Sequence, residues 1–154
     1  MIFDIDGVVA DVRHRLHLIE RRPKDWDGFF AAAADDPALA DGLAMVRDAL
    51  DGYDVMWLTG RPERTRPTTV RWLARHDLPT TPLLMRRERD FRPARIAKRD
   101  ALRRIAAKHE IALVVDDDPE VVAMLSEEGH PAKLADWLPR LDQLHTAQEH
   151  DGRT

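Results

Sequence analysis

The chain opens with the stretch "MIFDIDGVVAD" at residues 1–11, in which two acidic residues, Asp4 and Asp6, follow a short apolar run. A carboxylate at the end of a buried strand is costly unless it is hydrogen-bonded, paired with a cation or bound to a metal ion. The stretch therefore predicts a buried first strand whose end carries an acidic site, and the rest of the chain is expected to supply the compensating charge.

Apolar runs of strand length recur along the chain. They lie at residues 1–5, 53–59, 82–85, 111–116 and, more weakly, 131–135. They hardly alternate with polar residues, which is typical of strands that are covered on both faces. Helical patterns separate them, at residues 38–50, 65–76, 93–109 and 119–128. This alternation predicts an α/β fold with a doubly wound, five-stranded parallel sheet.

Length and composition predict a single globular domain. The chain has 154 residues, of which 44% are hydrophobic and 34% charged, and it has no cysteine. We expect one domain over residues 1–145 and a polar tail over 146–154 that frays. No apolar run is long enough to span a membrane, and the N-terminus resembles no secretion signal, so a cytoplasmic location without a membrane partner is expected.

The segment from residue 10 to about residue 36 does not follow the alternation of strands and helices. Only about 40 residues separate the first two strands, and they must also supply the crossover helix, which leaves room for a small flap but not for a large cap domain. Its three aromatic residues, Trp26, Phe29 and Phe30, are expected to form a local core rather than a platform for nucleobases.

The positive charge of the chain is concentrated in one segment. Residues 61–104 contain 14 Arg or Lys residues and five acidic residues, although the whole chain has a net charge of −4. Such asymmetry favours an anionic partner. The alternative is that these side chains merely lie on solvated helix surfaces.

Polar residues stand where the predicted strands end. Asp4 and Asp6 follow the first strand, Thr59 and Gly60 the second, and Asp116 to Asp118 the fourth. In open α/β sheets, ligands bind beyond the carboxyl ends of the strands. The acids are therefore expected to converge on a divalent cation.

Four stretches, "FDIDGVVAD", "WLTGRP", Lys98 in "RIAKRDAL" and "VVDDDPE", resemble in the same order the four motifs of the haloacid dehalogenase (HAD) superfamily of phosphotransferases. The resemblance implies that Asp4 is a nucleophile that forms an aspartyl phosphate and that Asp6 is the general acid and base. It further implies that Thr59 and the N–H group of Gly60 bind the phosphoryl group and that Lys98 links the nucleophile to the phosphate. A helix cap for Thr59 and a solvated Lys98 are the alternatives.

The resemblance also implies a Mg²⁺ cofactor. Its ligands would be Asp4, the backbone carbonyl of Asp6 and Asp116 or Asp117, since Mg²⁺ prefers hard oxygen ligands. Asp118, which precedes a proline, is better explained as a helix N-cap.

Two other activities have little support in the sequence. His14 and His17 have the spacing of a ligand pair, but no cysteine or second pair accompanies them, so no zinc site is predicted. No "GxxxxGK[ST]" loop occurs, so no kinase activity is predicted.

A longer stretch, from "TGRPERTRP" through "RRERDFRPARIAK" to "DDDPEVVAML", resembles the phosphatase half of phage polynucleotide kinase/phosphatase. This resemblance implies removal of 3′-phosphate from nucleic acid ends, DNA or RNA, with Arg61, Arg89 and Arg92 binding the substrate phosphate. A kinase domain in a longer parent protein is also possible. The alternatives are a small-molecule phosphatase such as a nucleotidase that acts on mononucleotides, and a non-catalytic nucleic-acid-binding module.

Overall fold

A computed structural model describes residues 1–139 and 142–151, and its centre is a five-stranded parallel sheet. The strands are β1 (Ile2–Phe3), β2 (Met56–Pro62), β3 (Leu83–Arg86), β4 (Val114–Asp116) and β5 (Ala132–Leu134). Their order across the sheet is β3-β2-β1-β4-β5, and every neighbouring pair is parallel. The predicted doubly wound α/β fold with five strands is confirmed.

Seven α-helices accompany the strands in the described part of the chain. They are α1 (His17–Glu20), α2 (Trp26–Ala32), α3 (Ala40–Leu50), α4 (Arg66–Arg75), α5 (Ala94–Ala106), α6 (Pro119–Glu127) and α7 (Asp142–Thr146). The four long helices that the sequence predicts are α3 to α6, with ends that differ by at most three residues. Helix α6 is followed by Gly129, whose φ of +79° is in the left-handed region that glycine tolerates best.

The sheet is covered on both faces, as the lack of alternation in its strands predicts. On one face, Phe3 and Trp57 pack with Val46 of α3 and Trp72 of α4. On the other face, the neighbouring strand residues pack against α5 and α6 in a second cluster, which contains Ile2, Leu58, Leu102, Val114, Val121 and Leu125. Because successive strand residues point to opposite faces, each of the strands β1 to β4 contributes to both clusters.

Residues 10–36, called the insert from here on, form α1, α2 and short 3₁₀ turns rather than a large cap. Trp26, Phe29 and Phe30 contact one another at ring-centroid distances of 5.5 to 5.9 Å. Phe29 and Phe30 are buried in a third apolar cluster with Leu144 and Ala147. The aromatic residues are therefore a local core, as expected.

The prediction of a frayed tail from residue 146 onward is wrong for the residues that can be described. Residues Ala147–Asp151 form a π-helical turn directly after α7. Ala147 is fully buried, Glu149 pairs with Arg95 of α5, and Asp151 pairs with Lys24 of the insert. Residues 152–154 lie outside the described part of the chain.

None of the helices within residues 1–139 and 142–151 has the length and apolar character that crossing a membrane requires.

Candidate active site

Three carboxylates meet at the carboxyl end of the sheet. Asp4 directly follows β1, Asp116 is the last residue of β4, and Asp117 comes next. Oxygen atoms from the three side chains lie within 4.8 Å of one another, and all three residues are buried. The expected convergence of acids from two strand ends is confirmed for these three.

Lys98 of α5 lies between two of these acids. Its Nζ donates hydrogen bonds of 2.6 Å to Asp4 Oδ2 and to Asp116 Oδ2. Burial lowers the pKa of Lys98, but the Asp116 and Asp4 carboxylates outweigh that effect and leave the pKa raised. Lys98 is therefore a buried cation at the site and not a solvated side chain.

The three-acid group is suited to hold a cation. Asp117 Oδ1 is buried and accepts no hydrogen bond from the described residues. An unpaired buried carboxylate oxygen is costly, and a divalent ion with oxygen ligands would remove that cost. The donor set of Asp4, Asp116 and Asp117 therefore fits Mg²⁺.

The loop after β1 packs directly against this group. Gly7 has a φ of +72°, and a Cβ atom at this position would lie 2.2 Å from Asp117 Oδ2. Gly42 of α3 has a similar role, because a Cβ there would lie 1.9 Å from the carbonyl oxygen of Val8. The loop that carries Asp6 is thus held between α3 and the side chain of Asp117.

The side chain of Asp6 points away from the three acids and into a buried ion-pair network. Its Oδ1 accepts hydrogen bonds from Arg15 Nη2 at 2.8 Å and from Arg61 Nε at 2.9 Å. Burial raises the pKa of Asp6, but the Arg15 and Arg61 charges outweigh burial and leave it below its usual value. The two arginines therefore favour the ionised form of Asp6, and they bond only to Oδ1, since Oδ2 is buried and accepts no hydrogen bond from the described residues.

Asp36 completes this network. Arg15 Nε donates to Asp36 Oδ1 at 2.8 Å, and Arg61 Nη2 donates to Asp36 Oδ2 at 2.7 Å. His14 Nε2 lies 2.8 Å from the same carboxylate. Two arginines thus balance two aspartates in the interior. The pairing lowers the cost of burying these charges, although Asp6 Oδ2 and Arg61 Nη1 have no hydrogen-bond partner among the described residues.

Thr59 and Gly60 lie within β2, because that strand continues to Pro62, so their predicted position after the strand is wrong. The pairing of β2 with β3 shifts register between Leu58 and Pro62. The Thr59 hydroxyl oxygen accepts a 3.3 Å hydrogen bond from the Arg61 N–H group. Since α4 begins only at Arg66, Thr59 does not cap a helix.

A cleft of about 360 Å³ adjoins the site; its lining comes mainly from β2, the edge strand β3 and α5 and does not include the three acids themselves. Thr59, Gly60 and Lys98 line the end that meets the site. The apolar part of the lining includes Leu58, Leu83, Leu84, Ala97 and Ala101, and the basic part also includes Arg66, Arg86, Arg87, Arg92 and Arg104. Glu63 and Asp90 are its two acidic residues, so the lining is strongly basic and suits an anionic ligand.

The comparisons with known proteins agree with this geometry. The family profile described as "Polynucleotide kinase PNKP phosphatase domain" matches residues 1–132. The chain belongs to this family. It is therefore a phosphatase domain of the HAD superfamily. No curated protein matches the chain at a significant level.

Solved structures share the fold of this phosphatase domain. A chain in the structure of the Pnkp1/Rnl/Hen1 RNA repair complex has a TM-score of 0.71 at 29% identity, over 86% of this chain and 40% of that one. A second structure of the Pnkp1/Rnl/Hen1 complex gives 0.71 at 28% identity, over 88% and 44%. The class C acid phosphatase from Bacillus anthracis with tungstate bound gives 0.64 at 16% identity, over 87% and 64%. This phosphatase domain thus spans less than half of the Pnkp1/Rnl/Hen1 chains that it matches.

The three arginines predicted to bind substrate phosphate are not together in this phosphatase domain. Arg61 is buried against Asp6 and Asp36, with its Nη1 buried and without a hydrogen bond to the described residues. Arg92 lines the cleft but is bonded to Asp90 and Asp100. Arg89 is exposed and lines a smaller neighbouring cavity instead.

Four residues near the site were not predicted from the sequence. Arg15 and Asp36 belong to the buried network, and Arg86 ends β3 with its Nη1 bonded to the carbonyl oxygens of Asp90 and Arg92. His145 of α7 places Nε2 3.4 Å from Asp117 Oδ2. In a sequence with so many arginines, no local pattern distinguishes Arg15 and Arg86 as residues that are buried near the site. By contrast, Asp118 is an N-cap as predicted, because its carboxylate accepts from the Glu120 N–H group at 2.9 Å.

Because of the buried acids, the free energy of unfolding of the metal-free protein is expected to fall as the pH rises, which is opposite to the usual effect of aspartates. Burial, above all, raises the pKa values of Asp4, Asp116 and Asp117 from 3.8 to about 6. Between about pH 4 and pH 6 the folded protein holds protons that the unfolded chain has lost, so stability falls as pH rises through this range. One such shift is equivalent to about 3 kcal/mol. Because the three groups are coupled to one another through Lys98, their contributions do not simply add.

Thermal unfolding in EDTA and in MgCl₂, between about pH 5 and pH 7, tests this expectation. In EDTA the Tm should fall as pH rises, and the stabilisation by Mg²⁺ should grow with pH because the ion competes with protons. Asp117→Asn removes one titrating group and should flatten the slope in EDTA. A Tm that rises with pH in EDTA would contradict the assignment.

Proposed function

We propose that the chain is a Mg²⁺-dependent phosphatase that removes 3′-phosphate from nucleic acid ends through an aspartyl phosphate on Asp4. The observation that carries the proposal is the position of Asp4, which is bonded to Lys98, a residue that lines the arginine-rich cleft. The Asp4 carboxylate is fixed at both oxygens, since Oδ1 accepts from the Ile5 N–H group at 2.6 Å and Oδ2 from Lys98. A nucleophile held in this way loses little freedom on reaction.

The chemistry requires two displacements at phosphorus. In the first, an Asp4 oxygen forms a bond to phosphorus, the bond to the 3′ oxygen breaks, and Asp6 gives a proton to the leaving oxygen. In the second, Asp6 takes a proton from water as the water oxygen bonds to phosphorus, and the bond to Asp4 breaks to release inorganic phosphate. Asp6 Oδ2, which accepts no hydrogen bond from the described residues, is the oxygen that would carry this proton, and the phosphoryl group is an anion that would compete for Arg61.

Mg²⁺ would be held by Asp4, by Asp116 or Asp117, and by the backbone carbonyl of Asp6. When bound, it would neutralise charge on the phosphoryl oxygens. Lys98 would provide positive charge on the same side of the nucleophile, and Thr59 with the Gly60 N–H group would donate to the phosphoryl oxygens from the end of the cleft.

Two features support a nucleic acid substrate. The cleft is open and basic, and no residue of the insert lines it, so a polymer can approach the site at Lys98. The family and the RNA repair complex among the similar structures concern enzymes of polynucleotides. A kinase domain in a longer parent protein is part of the same proposal, and the similar chains, of which this domain spans less than half, support it.

One observation favours the second candidate, a nucleotidase. A cleft of about 360 Å³ has room for little more than a single nucleotide. A mononucleotide could therefore occupy it without any part of a longer strand.

Phosphate release in MgCl₂ from a 3′-phosphorylated oligonucleotide, a mononucleotide and an aryl phosphate separates the two candidates. We expect kcat/KM for the oligonucleotide to be at least about tenfold higher than for the mononucleotide, and to fall with added salt because arginine contacts to the backbone are screened. Activity should be lost in EDTA. Equal turnover of mononucleotide and oligonucleotide with little effect of salt would favour the nucleotidase.

A further inference from the structure

Three arginines of the basic segment have no partner in the described part of the chain. Every other arginine within residues 61–104 forms a hydrogen bond or an ion pair with it. The exceptions are Arg87, Arg89 and Arg104, which are all exposed. Arg87 and Arg104 line the cleft beside the site, and Arg89 lines the smaller cavity next to it. The unpaired positive charge of the segment is thus not scattered over the helices but lies at the cleft and next to it.

Arg104 lies at the end of the cleft that is remote from the site. Lys98, whose Nζ is at the site, precedes it by six residues on α5, so the two positions are roughly 9 Å apart along the helix axis. The next residue, Ile105, lines a different cavity together with Met1 and Pro82, which directly precede β1 and β3. The C-terminal part of α5 therefore lies near the amino ends of the strands, whereas Lys98 lies at their carboxyl ends.

Apolar side chains line the cleft between these two positive ends. Leu58 and Leu84 are partners in the register of β2 and β3, and both belong to the cluster on the face of the sheet that α5 covers. Ala97 and Ala101 are one turn apart on α5, and their small side chains leave space beside the two leucines. The cleft therefore fits a molecule that is apolar in the middle and carries an anionic group at each end.

A nucleoside with a phosphate on each side of its sugar has this distribution of charge. Its base presents flat apolar faces, and its two phosphates are the anionic ends. With the 3′-phosphate at Thr59, Gly60 and Lys98, the phosphate on the 5′ side would be within reach of the long Arg104 side chain, whose guanidinium group can bind phosphate through two hydrogen bonds. In a strand, this unit is the terminal nucleotide together with the phosphodiester that joins it to the next one.

We propose that the cleft binds the terminal nucleotide of the substrate strand and that Arg104 binds the phosphodiester on its 5′ side. This inference rests on the proposed function. A nucleoside 3′-monophosphate and a small phosphate ester have no second anion for Arg104, whereas every polynucleotide end supplies one. Arg104 is therefore a specificity-determining residue, which favours the end of a strand over a single nucleotide.

Two small substrates isolate the second phosphate. In the wild type, kcat/KM for release of the 3′-phosphate should be roughly 5- to 50-fold higher for a nucleoside 3′,5′-bisphosphate than for the nucleoside 3′-monophosphate, because one charge-assisted contact is added. In Arg104→Ala the ratio of these two values should fall to about twofold or less. Arg104→Lys keeps the charge without the paired hydrogen bonds and should restore part of the ratio. Chromatography of the products shows that the 3′-phosphate is the group released.

The same contact should be visible on a strand. For a 3′-phosphorylated dinucleotide, Arg104→Ala should raise KM with little change in kcat, because the contact is present before and during the reaction. The salt dependence of kcat/KM should also become weaker, since one phosphate contact is lost. A purely structural role of Arg104 would change neither the ratio between the two small substrates nor the salt dependence.

The matched control is Arg103→Ala, on the full chain like the other variants. Arg103 is the neighbouring exposed arginine of α5, but it is paired with Glu128 and does not line the cleft, so the ratio should stay at the wild-type value. If the wild type releases 3′-phosphate but gains nothing from the 5′-phosphate, or if Arg104→Ala keeps the gain, the role of Arg104 is wrong while the proposed function stands. If the wild type releases no 3′-phosphate from any of these substrates, both are wrong.

Discussion

Asp4→Asn is expected to lower kcat by roughly 10⁴- to 10⁶-fold on every phosphate ester, the range in which loss of a catalytic nucleophile falls. The amide has nearly the shape of the carboxylate, but it cannot form a stable bond to phosphorus. Lys98 would keep Asp116 as its partner, at 2.6 Å, so the buried ammonium group would not lose all compensation. The variant should therefore fold and still bind substrate.

Steady-state phosphate release measures the effect, and acid quenching with radiolabelled substrate shows whether label remains on the protein. The wild type should retain label in an acid-stable form, and Asp4→Asn should retain none. Asp48→Asn, an exposed aspartate of α3, is the matched control and should behave as the wild type. Substantial turnover by Asp4→Asn would rule out the covalent route.

Asp36→Asn is expected to lower the free energy of unfolding by about 3 to 5 kcal/mol, because it leaves two fully buried guanidinium groups with one carboxylate in place of two. Arg15 and Arg61 have no exposed surface, and Asp36 bonds to both. For a protein of this length, the corresponding fall in Tm is roughly 6 to 20 °C. Urea titration and calorimetry measure the loss.

The matched control is Asp27→Asn, which also breaks a pair between an aspartate and an arginine. Asp27 lies 3.3 Å from Arg64, but its side chain is 93% exposed. A pair of this kind contributes about 0 to 1 kcal/mol, so the control should be close to the wild type. Equal losses for the two variants would show that the buried network does not stabilise the fold.

The sheet and its acids could be predicted because both depend on local patterns. Five unalternating apolar runs separated by helical patterns specify a parallel sheet, and the topology of such a sheet brings the ends of β1 and β4 together. Asp4, Asp116 and Asp117 are adjacent for this reason. Lys98 was found through the resemblance, since its place on α5 gives no indication of burial by itself.

The remaining parts of the site depend on contacts between distant segments. Arg15 reaches Asp36 across 21 residues, and Arg61 reaches Asp6 across 55, so neither pairing has a local signal. The polar C-terminal segment suggested fraying, because its buried residues, Leu144 and Ala147, have their apolar partners in the insert more than 100 residues earlier. The sequence predicts that the second strand ends where its apolar run ends. In the structure β2 continues through the polar residues after that run as far as Pro62, so Thr59 lies within the strand.

The packing of the C-terminal segment distinguishes two boundaries along the chain. The match to the family profile ends at residue 132, whereas the third apolar cluster, around Phe29, also contains Leu144 and Ala147 and has Leu138 packed against it. The part of the chain that folds together is thus longer than the part that matches the family profile. A fragment that ends at residue 132 would expose the apolar side chains of this cluster to solvent. The limits of the domain for expression are therefore better chosen from the contacts in the structure than from the extent of the profile match.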